Sequence, residues 1–420
     1  MSKNLLIIII SLILLVIFIN GFSAAYTARK IGNIAYVLAL GIDVGENSKM
    51  KISAQFTKSS AVSPASGTSS EDKDNIILVS GEADSIFGAI NLLNSYIGKE
   101  VNLSHCNLFI FSEKFAKQGI SSEIYSLLNN EEVRPTANLI ISKSTAYDYL
   151  NNSNPNLEKL TTQYYKTFAI TGRFTGYFSN ITIGDFYNSL SSPYSDPTAI
   201  LGGLNLTARQ ENSEQDSENQ ENVITNPDSL TAGTSSIMGN RGTENFGIAV
   251  FKDDKLCGEL TATESICHLL ISNKIDSCTL SIDNPVFKKE AKKMEVEIFP
   301  VKNTKINITL QDSIPHISLD IKVNADIMTL DKDVNYETNE ILTKISDAII
   351  KYLKDEFTNY LNKVTKNFNV DIDYFSAKAP AHFLTISEWT DFNWAENFKN
   401  TEFDVNIDVN VLSTILITKT

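Results

Sequence analysis

The sequence predicts an α+β fold: a multi-domain ectodomain of mixed and antiparallel sheets with packed helices, closing on a C-terminal sheet crossed by one long helix. Three observations predict it. Strand-like and helix-like segments alternate through the first 150 residues. An acidic polar run then interrupts the chain near its middle, and beyond it a series of alternating strand patterns precedes the longest helical pattern in the protein.

The chain of 420 residues is 42% hydrophobic and 20% charged, enough to bury more than one core. It opens on Met-Ser-Lys-Asn followed by fifteen apolar residues, 5–19 (LLIIIISLILLVIFI). At about 1.5 Å per residue these cover some 22 Å, short of a hydrocarbon core of about 30 Å and suited to the core of an export signal. Extended through small residues to Ala28, the segment reaches about 36 Å and can span. Residues 1–28 therefore read as an N-terminal signal or membrane anchor, and both retention and cleavage stay open.

Residues 29–150 read as an N-terminal α/β domain. IAYVLALGID (34–43) and KMKISAQF (49–56) are β-rich runs joined by a Gly/Asn/Ser turn, a hairpin signature. The Ser-, Pro- and Gly-rich stretch 57–75 is a surface loop before the strand IILVSGE (76–82). Ile86, Ile90, Leu93 and Ile97 recur at helical spacing and stop at Gly98. CNLFIFSE and TANLIISK are further strands, separated by a helical stretch broken at Gly119 and followed by the short helix TAYDYLNN.

The middle region, 151–206, is Asn-, Tyr- and Thr-rich, with helical segments at TTQYYKTFAI and TIGDFYNSL. Residues 207–243 form a polar, acidic linker almost free of aromatics. Residues 244–420 read as a C-terminal α+β domain. It opens with a hairpin turning at Asp253-Asp254, then a helix, then four strands expected to run as a meander with Ile317, Leu319, Ile321 and Val323 inward. A helix over about 337–367 should lie on that sheet, with Ile341, Ile345, Ile349, Leu353, Phe357 and Tyr360 on its apolar stripe. A Trp-bearing segment and the alternating runs FDVNIDVNVL and STILITK finish the chain.

Thirty-six basic residues against 50 acidic ones give a net charge of −14, which argues against a nucleic-acid partner, since tracking phosphates needs a Lys/Arg excess. No G-x-S-x-G elbow, H-E-x-x-H pair, P-loop or G-x-G-x-x-G occurs. Cys257, Cys267, His268 and Cys278 lack the tight C-x2-4-C pairs of structural zinc sites, and ordinary packing is the better account. His105, His268, His316 and His382 are scattered. Asp253-Asp254 and Asp371-x-Asp373 could do acid/base work, but the first suits a turn and the second follows a helix end. No catalytic, cofactor-binding or metal site is assigned, and a non-catalytic ectodomain is expected. The carboxylates leave a secreted hydrolase open as an alternative, and the polar insertions a cell-envelope adhesin.

Four stretches in order carry a resemblance. YTARKIGNIAYVLALGID resembles, through Arg29, Ile31, Gly41 and Asp43, the "vlalGiD" opening of the Ger(x)C family, the C subunits of spore germinant receptors. The stretch 79–120 is similar to the family's strand-helix-strand unit at Gly81, Ala89, Ser104, His105, Phe109, Glu113, Ala116 and Gly119. GIAVFKDDKLCGELTATES resembles its entry to the C-terminal domain through Phe251, Lys252, Asp253, Lys255, Leu256, Gly258, Leu260 and Glu264. The ending is matched by Trp394, Glu396 and Phe398. Gly81, Gly119 and Gly258 suit turns or caps, and Trp394 and Phe398 suit buried anchors.

The resemblance implies a membrane-attached subunit on the extracytoplasmic face of the spore inner membrane. It implies as partners a multi-spanning A subunit and a transporter-like B subunit, nutrient-triggered germination as the process, no enzymatic activity and no cofactor. Family members carry a lipidated cysteine after a Leu-x-Gly lipobox, and counting back from Ile31 that position is occupied here by Ala25. The chain should therefore be anchored by its apolar segment, kept as a signal anchor, rather than by lipid.

Overall fold

In the computed structural model of the chain, the described residues are 4, 11–12, 31–57, 76–153, 161–205, 229–239, 241–286, 293–311, 314–330, 334–336 and 338–412. The rest of the expected anchor, with Ala25, the loop 58–75, most of the acidic linker and the final expected strand lie outside them.

The predicted first hairpin is β1 (Ile34–Val44) antiparallel to β2 (Met50–Thr57), and β3 (Ile76–Ala83) adds to β2. On the other side of β1 the strands run parallel: β5 (Leu108–Ser112), β6 (Asn138–Ser142) and β7 (Thr198–Leu204), with the short β4 (Glu100–Asn102) also beside β1. Then β8 (Thr243–Lys252) and β9 (Lys255–Leu260) return antiparallel, completing a nine-stranded mixed sheet in the order β3-β2-β1-β5-β6-β7-β8-β9.

Successive side chains of the central strands enter two different cores. Leu40, Ile42, Phe109, Phe111, Leu139 and Ile141 join one; Leu38, Leu108, Ile110 and Ile140 join the other. Helices cover both faces, which is why these strands read as continuous apolar runs rather than alternating ones. On the first face lie α1 (Ile86–Ile97), closed by Gly98 in the left-handed conformation as expected, α2 (Ser121–Leu128) and α5 (Ile183–Leu190). On the second lie α3 (Ala146–Asn152), α4 (Thr161–Thr167) and α6 (Ala262–Ser272).

Two expectations are corrected here. The sequence marks the middle region as helical, but TAILGGL within it is β7, an interior strand between β6 and β8. Seven residues flanked by Pro197 and containing two glycines carry little periodicity, so the strand is specified by its neighbours. The hairpin read as opening the second lobe is β8–β9, the far edge of the first sheet; β8 is buried along nine of its ten residues, as a strand paired on both sides should be.

The second sheet contains β10 (Cys278–Asp283), β11 (Lys293–Pro300), β12 (Lys305–Gln311), β13 (Ile314–Ile327) and β14 (Glu402–Leu412). The expected meander is not what forms. Both β11 and β12 pair antiparallel with β13, the one at Pro300↔Val323 and the other at Lys305↔Asp320, so they are two lengths of one strand separated by a bulge. β14 pairs parallel with the opposite edge of β13. Ile317, Leu319, Ile321 and Val323 do face the core.

Across this sheet lies α7 (Asn339–Asn362), continued by a wider helical turn over Lys363–Phe368. Ile345, Ile349, Leu353, Phe357, Tyr360 and Leu361 form its buried stripe. The core under α7 is continuous with the second face of the first sheet, and α6, packed on β8, β9, β13 and α7, is the bridge between them.

Candidate functional site

A cluster of buried ionisable groups lies where α6, α7 and the segment after α7 meet. Asn369 ends the last helical turn in a left-handed conformation (φ 52°), and the chain then places Asp371, Asp373 and Tyr374 against the first lobe. Asp373 accepts from the Tyr360 hydroxyl at 2.6 Å, and its other oxygen lies 2.8 Å from His268 Nδ1 on α6. All three side chains are buried. The Asp373 carboxylate and the burial of the phenol both hold the Tyr360 hydroxyl protonated, with burial the larger cause.

Asp371 points elsewhere. Its carboxylate accepts from the backbone N–H groups of Phe375 (3.0 Å) and Ser376 (2.7 Å), its own N–H donates to Asp196, and the Asp196 N–H donates to its carbonyl. Burial pushes its carboxyl up to about 7; the two N–H donors oppose the shift and the Asp373 charge adds to it. Ser376 also donates to the Tyr194 carbonyl, and the Tyr374 and Ser189 hydroxyls bond at 2.7 Å. The bonds to Asp196, Tyr194 and Ser189 tie the segment after α7 to the first lobe, while those from Phe375 and Ser376 brace the segment itself. Two aspartates committed to backbone N–H groups, a phenol and an imidazole, with little exposure, form a joint rather than an acid/base pair across an open cleft.

The other residues singled out in the sequence also lie at joints. Asp43, at the end of β1, accepts from the N–H groups of Ala146 (2.7 Å) and Tyr147 (3.0 Å) and caps α3. A Cβ on Gly41 would come within 3.0 Å of Ala146 Cβ, so the glycine admits α3 against the strand. Asp253 takes the left-handed turn position (φ 54°) and Asp254 accepts from the Ser121 hydroxyl at 2.6 Å at the start of α2. Gly258, expected at a turn or cap, instead sits inside β9, where a Cβ would fall 2.3 Å from Phe368 Cζ. Gly81, expected likewise, lies within β3. Glu264 completes the capping box of α6 and pairs with Lys363 at 2.7 Å. Trp394 and Phe398 are the buried anchors expected of them, stacked with centroids 5.7 Å apart.

The N-terminal domain model of spore germination proteins matches residues 27–202, and the "spore germination B3/GerAC like, C-terminal" model matches residues 246–414. The chain belongs to the GerAC-like family of spore germination proteins. Members of this family are the C subunits of germinant receptors, and the family is membrane-associated. Spore germination protein KC of Bacillus subtilis (strain 168) is 22% identical over 347 residues, covering 81% of this chain and 79% of the relative. Putative spore germination protein YfkR of the same organism is 19% identical over 331 residues, covering 78% and 76%. The crystal structure of the GerBC protein shares the α+β fold with a TM-score of 0.52 and 14% identity, over 89% of this chain and 97% of that one.

GerAC-like proteins are not known as enzymes. Among the described residues no three His, Cys, Asp or Glu come together as a metal-holding group. Cys267 and Cys278 are buried, Cys257 is exposed, and His268 is engaged by Asp373. His105 packs edge-on against Tyr36 at 4.4 Å, and burial, followed by the Arg134 and Lys166 charges, lowers its pKa. His316 lies 3.4 Å from Glu402, and His382 is exposed. Among the described residues no helix is long and apolar enough to cross a membrane. The sequence signalled Asp371 and Asp373 as a pair; it carried no signal for Tyr360 and His268 as their neighbours, which are 13 and 105 residues from Asp373.

Proposed function

We propose that this chain is a non-catalytic, membrane-attached subunit of a nutrient germinant receptor, acting through assembly and signalling at the extracytoplasmic face of the spore inner membrane. Its partners are the multi-spanning A and B subunits of that receptor. The observation that carries this reading is where the family's recognisable residues fall: Gly41, Asp43, Asp253, Gly258, Glu264, Trp394 and Phe398 cap helices, make turns or close packed contacts within and between the lobes. Residues arranged in this way make one body that can carry a displacement from one end to the other.

In this reading the chain divides into an anchor (1–28), an N-terminal α/β domain (29–150), a middle region (151–206), a linker (207–243) and a C-terminal unit (244–420). The last of these contributes its first two strands to the first sheet, which fastens the lobes together. With alanine at the lipidation position, the apolar segment is the anchor. Affinity purification of the tagged chain from spore membranes tests both points: it should bring down two multi-spanning proteins, and the intact mass should be that of the unlipidated chain with residues 1–25 present. Recovery of the chain alone, or a diacylglyceryl mass increment, contradicts the proposal.

A further inference from the structure

A cavity of about 560 Å³ lies in the first lobe, away from the aspartate joint, between α4, the turns that follow it and the start of β8. Its size falls within the range of sites for small organic ligands, about 300–1,000 Å³. The walls are aromatic. Tyr164 stacks on Phe168 at 5.5 Å, Phe168 meets Phe178 at 6.3 Å, and Tyr177 meets Phe246 at 5.5 Å. Such walls take an apolar body.

Into this lining comes one half-buried cation. Arg241 donates through Nε to the Thr243 carbonyl at 2.9 Å and through Nη1 to the Tyr164 hydroxyl, with its guanidinium 5.1 Å from the centre of that ring. These bonds fix the plane of the guanidinium, and among the described residues its other donors are uncommitted. No carboxylate pairs with it among the described residues. The nearby Glu244 is turned to another task, accepting from the Gly233 N–H at 2.7 Å, the Ser235 N–H at 3.1 Å and the Ser235 hydroxyl. Thr243, also in the lining and 2% exposed, keeps its hydroxyl buried without a partner. An oriented, unpaired guanidinium among aromatic rings is the arrangement that recognises a carboxylate joined to an apolar group.

We propose that this cavity binds a small organic carboxylate with an apolar or aromatic body, its carboxylate on Arg241 and its body against Phe168, Tyr177 and Phe246. The site is independent of the aspartate joint and of the receptor role.

The test uses the full chain in nanodiscs, with hydrocinnamate as probe and hydrocinnamyl alcohol as its neutral counterpart, followed by saturation-transfer NMR at neutral pH. The acid should bind saturably and more tightly than the alcohol. Arg241→Gln should weaken the acid about tenfold or more while leaving the alcohol unchanged, and Thr175→Trp, which fills the cavity, should weaken both. Absence of saturable acid binding, equal binding of acid and alcohol, or an acid affinity unmoved by Arg241→Gln overturns the proposal. If Arg241→Gln loses its cooperative melt, the acid-to-alcohol preference of the unmodified chain and the Thr175→Trp result decide.

Discussion

Gly258 and Phe368 show how a single missing Cβ can hold two lobes together. The ring of Phe368, at the end of the long helix, occupies the space that any other side chain at 258 would fill. Gly258→Val should therefore destabilise the protein by about 1–3 kcal/mol, the cost of overpacking. Phe368→Ala in the same chain should give back part of that loss, so chemical denaturation of the two single variants and the double variant should show non-additive changes. Additive losses would mean the two residues are not in contact. Asp371 makes a second residue-scale prediction. Its carboxyl ordinarily titrates near 3.8 and is pushed up to about 7 in the fold. Below about pH 4 it is protonated in both states. As pH rises toward 7 the unfolded chain releases the proton while the folded chain keeps it, so stability is lost through that window. Asp371→Asn should flatten the fall in Tm between pH 5 and pH 8; an equal fall in both proteins would remove Asp371 as its cause. Gly41, Asp43, Asp253 and Asp371 were legible as motif residues, but only Asp253 declared its role locally, because a turn is a local structure and a cap on a helix about 100 residues away is not.

Among the elements, the long helix is the clearest case of sequence specifying structure. Its apolar stripe recurs every three or four residues, and from Ile345 to Tyr360 the same residues are the buried ones, with Ile341 at its start only partly buried. Truncation within the stripe should be costly: Leu353→Ala, at a residue 1% exposed, should lower the unfolding free energy by about 2–5 kcal/mol. The next residue, Lys354, is exposed, and Lys354→Ala should stay within about 0.5 kcal/mol. Denaturant midpoints for the two variants check this. β1, β2, β3, β5 and β6 were equally legible, and β8–β9 was legible as a hairpin. Which sheet that hairpin joins was not, because its partner β7 lies on the far side of the polar linker and pairing is decided by long-range burial. The same limit hid β7, and it hid the joining of β11 to β12: alternation marks each as a strand but does not say whether the chain between them reverses.

The described residues form two sheets sharing a core through α6, with Asp373 bonded to His268 on that helix and the Asp371 backbone bonded to Asp196 of the first lobe. The chain belongs to the GerAC-like family of spore germination proteins, and the receptor-subunit role is the one proposed for it above. The His268–Asp373–Tyr360 cluster had to await the fold, because it is assembled from three separate elements. The most direct test of the central claim is germination itself, followed as loss of optical density in spores that lack this chain and all its paralogues. Nutrient-triggered germination should be abolished or severely slowed and restored by the unmodified gene, while germination by receptor-independent agents proceeds at the normal rate. Normal nutrient germination in those spores would contradict the account.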